Sequence, residues 1–533
     1  MTLKRIISLA LCCCMALTLF TGCGSKGKGQ AMYYDIPGEP GNLDPQLASD
    51  TSSYIVLQNI MEGLLRMTAD GKLEEAAATD YEVSADGLTY TFHLREGAFW
   101  YDGDEKKIPV TARDFVYGFQ RLFNPYTRSE YREMFSAIEG AQEILAGTKS
   151  YQELGVSAPD DNTFVVRLAR KDPFFLQLVT LPAAFPCNQE FFESTKGRYG
   201  LSDEDILCNG PFTIYSWTEK KNMVLLNNEC YATAAVSPSS VSLYFISDSD
   251  ETARRFEAGN LDAAKLRSAD LSSAQENGLE VISFDNTVWA LLVNQKNETL
   301  QNADIRAALT LSLQRESYAG VLPAYLKSAG RLIPSTISVS GENYQSHAKE
   351  VGVSYQPQEA KKRMSAGLAA LGETRLPKLT ILCPDSDEAF ASSLEYVKQV
   401  WQRDISAFVT VETMSLSTLY NRIGQGDFEM ALIPITPNFD NPSSILNRFL
   451  SGSGQNTVGY SNPAYDALLA DQTGSAQEVV ERFAQAEQTL LSDGVVIPLF
   501  YETSNYALDK GVTGIEFSPF DGGVFFRDAL KKE

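Results

Sequence analysis

The 533 residues carry 68 acidic against 45 basic side chains, a formal net charge of −23, and only two histidines. That acidity excludes a broad nucleic-acid-binding surface. His93 and His347, far apart in sequence, leave no imidazole cluster for a metal site. A hydrophobic content of 44% over this length supplies more than one core, on the scale of roughly three domains.

In chain order, the first predicted element is a targeting segment. Lys4 and Arg5 precede an apolar run from Ile6 to Phe20, too short to span a bilayer comfortably. It ends in Phe20-Thr21-Gly22-Cys23, which resembles a bacterial lipoprotein signal, although a leucine is usual where Phe20 stands. The resemblance implies a signal peptide at 1–22, a diacylglycerol thioether on Cys23, and a flexible tether at 23–30. Two or three acyl chains suffice for stable anchoring. Losing Lys4 and Arg5 removes two positive charges from −23 and leaves −25. Cys12, Cys13 and Cys14 leave with the signal, and the remaining Cys187, Cys208, Cys230 and Cys383 show no metal-type spacing. An oxidising compartment permits a disulfide among these four, which sequence cannot assign.

Downstream, Leu88 to Leu94 alternates as a half-buried strand, with Tyr90, Phe92 and Leu94 inward and Thr89, Thr91 and His93 outward. A turn at Tyr101-Asp102-Gly103 leads to a helix over 111–123, with Thr111 as its cap and Asp114 completing a capping box. Asn209-Gly210-Pro211-Phe212 predicts a sharp turn before a strand and hairpin through Leu226. The acidic run from Asp248 to Glu251 reads as a solvated turn. Ala303 to Leu313 and Gln358 to Leu371 have helical spacing. Leu379 to Val411 reads as strand, helix, strand, and Val495 to Tyr506 as a β-prone segment returning to an earlier sheet.

A series of segments then carries a resemblance: LDP at 43–45, TDYEVSADGLTYTFHLREGAFWYDG at 79–103 and PVTARDFVYGFQRL at 109–122. LGVSAPDDNTFVVRL at 154–168, NGPF at 209–212 and VNQKNETLQNADIRAALTLSLQRE at 293–316 continue it. GYSNPAYD at 459–466 and VVIPLFYE at 495–502 complete the set. In this order and spacing they resemble the family-5 extracellular solute-binding proteins, to which the oligopeptide binders of ABC importers belong. The resemblance implies an α/β, two-lobed periplasmic-binding-protein-like fold (type II, cluster C) with an extra inserted domain and a hinge. It divides the chain into lobe I at 31–66, 187–285 and 500–533, an insert at 67–186, and lobe II at 287–499. The lobes would close over a peptide or peptide-like solute and deliver it to a permease served by a separate ATPase.

Peptide-binding relatives hold the ligand's α-amine with an aspartate shortly before a proline. Counted from Asn441-Pro442, that position is Asn438. The carboxylate has become a neutral amide, a weaker partner for an ammonium. Asp440, on the same face of an extended strand, either replaces it or simply forms the turn. Leu432 stands where an arginine assists peptide carboxylates, and Leu416 where a pocket tryptophan is found. Pro434 and Pro437 remove two amide donors from the strand expected to read a peptide backbone. These departures point to altered recognition of a free peptide backbone and to a more apolar or capped ligand. Trp289 is a stacking wall of the cleft or part of the core, and Asn456 a ligand-side loop residue or a loop cap. Ser52, Ser53, Ile435, Thr436, Gln455 and Glu502 complete the expected ligand-facing set.

No hydrolase constellation, paired-cysteine or HExxH metal motif, or glycine-rich nucleotide loop is present in the sequence. The reading is therefore a monomeric binding protein without cofactor, metal or catalytic residues. A solute sensor or adhesin on the same fold is the competing class, and an importer subunit for a non-peptide ligand the nearer alternative.

Overall fold

The computed structural model describes residues 29–532 apart from 69–70, 102–106, 173, 268–269, 324, 340–341, 471–474 and 521–522. The targeting segment, Cys23 and the turn at Asp102-Gly103 lie outside the described residues. The chain forms a two-lobed α/β structure built on three main sheets.

A four-stranded sheet near the chain start joins Ala31–Ile36, Ser240–Phe245, Asn222–Asn227 and Phe212–Thr218 in that spatial order. A second, antiparallel sheet joins Ala78–Val83, Thr89–Leu94, Thr163–Arg167 and Val156–Asp160. Thr89–Leu94 buries Tyr90, Phe92 and Leu94 and leaves the other three residues partly exposed, as its alternation predicts. Against this sheet packs the helix Ala112–Phe123, whose capping box links Thr111 and Asp114. Asp114 also accepts the Trp100 indole N–H at 3.2 Å, so the cap doubles as a core contact.

The seven-stranded sheet is built around two long antiparallel strands, Glu280–Val293 and Val496–Leu508. Their register slips between Phe284 and Thr287. On one side of the slip they pair with each other and with Ala263–Leu266; on the other they meet Met430–Ile435 and the parallel pair Leu379–Pro384 and Val409–Met414. The strand–helix–strand unit runs through the helix Glu388–Ile405. Trp289, Leu291 and Val293 pack into one buried cluster while Val288, Ala290 and Leu292 pack into another, so this strand is covered on both faces.

The 209–212 turn is held by close backbone contact. Asn209 exchanges hydrogen bonds with the backbone of Glu62 at 3.0 and 2.9 Å, and a Cβ on Gly210 would lie 2.6 Å from the backbone of Ile60 and Met61. The acidic run differs from a plain turn. Asp248 caps the helix Ser249–Glu257 by accepting from the N–H groups of Asp250 and Glu251, which makes carboxylates favourable in that first turn. Cys187, Cys208 and Cys383 are buried and Cys230 partly exposed, and all four are unbridged. No helix among the described residues is long and apolar enough to cross a membrane.

Asp35, at the end of the first strand, is buried beside Arg255 and the Thr252 hydroxyl, with one carboxylate oxygen unpartnered. Burial pushes its carboxyl up to about 6. A carboxyl raised on folding binds its proton more tightly in the folded chain, so its contribution weakens as pH rises from about 4 through 6. Denaturation midpoints should therefore fall over that window, and Asp35→Asn should flatten the fall. An identical pH profile for the variant would exclude Asp35 as its source.

Candidate functional site

The two halves meet along a seam bordered by residues from both sides of the crossing strands. Tyr54, Glu62, Phe185, Phe520 and Arg527 on one side face Asn438 and Phe439 on the other around a void of about 80 Å³. Phe439 is only 2% exposed and lies in the same buried cluster as the first sheets, although the strand it follows, Met430–Ile435, belongs to the seven-stranded sheet. In the opposite sense, Phe520 and Phe174 join the cluster beneath the seven-stranded sheet, and Phe174 meets Phe483 with ring centroids 6.0 Å apart. A neighbouring crevice of about 490 Å³ runs between Arg170, Asp172 and Phe174 on one wall and Phe439, Ser443 and Asn447 on the other. The seam is therefore shut by aromatic rings and retains room beside them.

Within the small void, Glu62 accepts from the Tyr231 hydroxyl at 2.6 Å and the Thr233 hydroxyl at 2.7 Å. Burial raises its carboxyl above the usual range, partly offset by these hydrogen bonds. The Gln58 side-chain oxygen is buried there without a partner, an acceptor available to a ligand donor.

The strand Met430–Ile435 carries several of the expected positions. Leu432 is fully buried toward Trp289 and Trp401, while Ile435 lies on the opposite face. Pairing with Leu379–Pro384 stops at Ala431, so no strand among the described residues pairs with the outer edge of Leu432–Ile435. Pro434 sits on that stretch, opposite Trp289 in the ladder, and cannot donate from it. Thr436 bonds the Thr287 hydroxyl at 3.0 Å. Its carbonyl accepts from Arg448 Nη2 at 3.1 Å, and Asn438 Oδ1 accepts from the same nitrogen at 2.9 Å. Asp440 accepts the Ser338 N–H at 2.6 Å and also bonds the Ser338 hydroxyl.

The other positions are dispersed. Trp289 is 4% exposed, packed on Phe390 and Phe500, and donates its indole N–H to Glu502 at 2.6 Å. Gln455 and Asn456 line a separate pocket with Ile435; Asn456 donates to the carbonyls of Leu450 and Tyr460 and accepts the Tyr460 N–H. Leu416 opens the helix Leu416–Gln425, partly exposed. Ser52 and Ser53 are buried in the first turn of the helix Thr51–Ile60, where the Ser53 hydroxyl donates to its cap, Asp50, at 2.6 Å. The structure thus places Asn438, with Phe439, at the seam, links Thr436 to it through Arg448, and pairs Trp289 with Glu502. Sequence reasoning missed Glu62, Phe439 and Arg448. Phe439 lies between two singled-out residues, and Arg448 is a lone cation within the apolar stretch Ile445–Leu450, a signal that could have found it.

The family of bacterial extracellular solute-binding proteins, family 5 (middle), matches residues 72–457. The oligopeptide-binding protein OppA of Bacillus subtilis is 28% identical over 552 residues, covering 100% of this chain and 98% of that protein. A dipeptide-binding protein of Lactococcus lactis is 28% identical and covers 96% of each. Among solved structures, Listeria monocytogenes OppA bound to peptide superposes with a TM-score of 0.82 at 26% identity, covering 95% of this chain and 100% of that one. The chain belongs to the family-5 bacterial extracellular solute-binding proteins.

Proposed function

We propose that this chain is the capture subunit of an ABC importer, anchored through Cys23 on the outer face of the cytoplasmic membrane. It binds a peptide or peptide-like solute as a monomer, without catalysis or cofactor, and passes it to a permease driven by a separate ATPase. The observation that carries this reading is the seam, whose void and crevice take walls from both sides of the two crossing strands. A solute held there gains contacts from both halves only when they are shut, so its binding favours the shut form. We assign the halves as 31–66, 187–285 and 500–533 for the first lobe, 67–186 for the insert, and 287–499 for the second. The peptide ligands named for the B. subtilis and L. monocytogenes proteins support the ligand class.

Titrating a peptide library into the protein freed of co-purified solute should identify members that raise the melting temperature and reduce the open fraction seen by X-ray scattering. Silence across the library, with non-peptide solutes active, would replace peptide by another ligand class. In a bacterial host, Cys23→Ser should move the protein from membrane to medium or periplasm. Unchanged membrane retention would remove the proposed anchor.

A further inference from the structure

The pocket behind Asn438 has a chemistry of its own. It holds about 140 Å³, with Leu292, Ile423, Ile433 and Ile435 as apolar walls and Arg448, Gln455 and Asn456 among its polar lining. A void of about 150 Å³ with such apolar walls holds one benzene ring. Arg448 is poorly compensated there. Its Nη2 serves the Thr436 carbonyl and Asn438 Oδ1, both uncharged, while its buried Nε has no partner. Among the described residues no carboxylate lies within ion-pairing distance of it. A guanidinium in this setting bears a desolvation cost that an incoming anion would offset, and its planar fork suits a carboxylate. An ammonium would meet like charge instead, and the neighbouring Asn438 Oδ1 acceptor is already engaged by Arg448.

We propose that Arg448 and this pocket form a subsite for a carboxylate borne on an aryl or branched-alkyl group. The inference rests on the capture reading above and names the ligand chemistry that a pocket of the second half, joined to the seam through the Arg448–Asn438 bond, selects. The carboxylate can belong to a peptide terminus or to a free organic acid. Asn438 becomes a positioning residue, holding the guanidinium in place and contributing no charge.

Calorimetric titration with phenylacetate, phenylacetamide and phenethylamine tests the subsite, and N-acetyl-Ala-Ala-Phe as acid and as amide tests the source. At least one acid should bind about tenfold or more tighter than its amide, the equivalent of one charge-assisted contact, and the amine should bind weakest. Preference for the peptide acid assigns a peptide terminus; preference for phenylacetate assigns an organic acid. Arg448→Gln should erase the difference between acid and amide. Ile423→Phe, which fills the pocket and keeps the guanidinium, should abolish binding of all the phenyl probes. Equal affinity for acid and amine, binding of neither acid, or an acid preference that survives Arg448→Gln would overturn the proposal. Acid selectivity without scattering-detected closure by any peptide would leave the subsite standing and remove the capture reading.

Discussion

Arg121→Met should lower unfolding stability by about 3–5 kcal/mol, the usual cost of leaving one charge of a buried pair uncompensated. Arg121 and Asp44 have side chains 5% and 3% exposed, and the guanidinium meets both carboxylate oxygens, at 3.1 and 2.5 Å. The same guanidinium donates to Gln46 at 2.6 Å and lies 3.9 Å from the centre of the Phe192 ring. Gln46 in turn donates to the carbonyls of Ala183 and Phe185. One cation thus ties the helix Ala112–Phe123 to the segment following the first strand and to residues 183–192. Removing it strands Asp44 without its cation and leaves Gln46 a partner short. Asp44→Leu combined with Arg121→Met should recover most of the loss, because paired apolar replacements avoid the orphaned charge. Urea denaturation checks both: a single variant within about 0.5 kcal/mol of the parent, or a double variant no better than Arg121→Met, would show that the pair does not act as one unit.

That pair also explains why so much of the architecture was legible. LDP and PVTARDFVYGFQRL lie far apart in sequence, yet Asp44 of one and Arg121 of the other meet in the core. NGPF likewise packs on Ile60–Glu62, and in GYSNPAYD the Tyr465 hydroxyl donates to the Leu446 carbonyl at 2.6 Å. These segments are recognisable because each satisfies a fixed set of buried polar groups, a demand that tolerates few residue types. The strand at 89–94 and the helix at 112–123 were readable for simpler reasons, alternation and a capping box. The candidate site offers no such regularity. Whether Asp440 faces a ligand or Ser338 depends on a neighbour 102 positions away, and nothing local to Arg448 announces that it reaches back to Asn438. Trp289 illustrates the same limit: its strand position was clear, but the Phe390 and Phe500 rings that flank it arrive from separate elements.

Phe439→Ala should open the molecule rather than merely soften it. The ring is carried by the segment after Met430–Ile435 but lies in the buried cluster of the other half, so the contacts it makes with that half exist only in the shut form. Full burial of such a side chain is worth about 1.5–3 kcal/mol, enough to change the open-to-shut ratio by roughly 10- to 100-fold. Adding Phe520→Ala removes the reciprocal key, which sits on a loop fixed by the bond from Asn286 Nδ2 to the Pro519 carbonyl at 2.6 Å. X-ray scattering of the solute-free protein should show a larger radius of gyration for Phe439→Ala and a larger one still for the pair. Phe164→Ala provides the contrast, because that ring lies wholly within the cluster formed with Phe92, Phe115 and Phe119. It should depress the melting temperature and leave the radius unchanged. If Phe439→Ala behaves like Phe164→Ala, its ring is ordinary core and the seam is held by something else. If it expands the protein, the shut form is stabilised from within before any solute arrives, and a ligand need contribute only the remainder of the closing free energy.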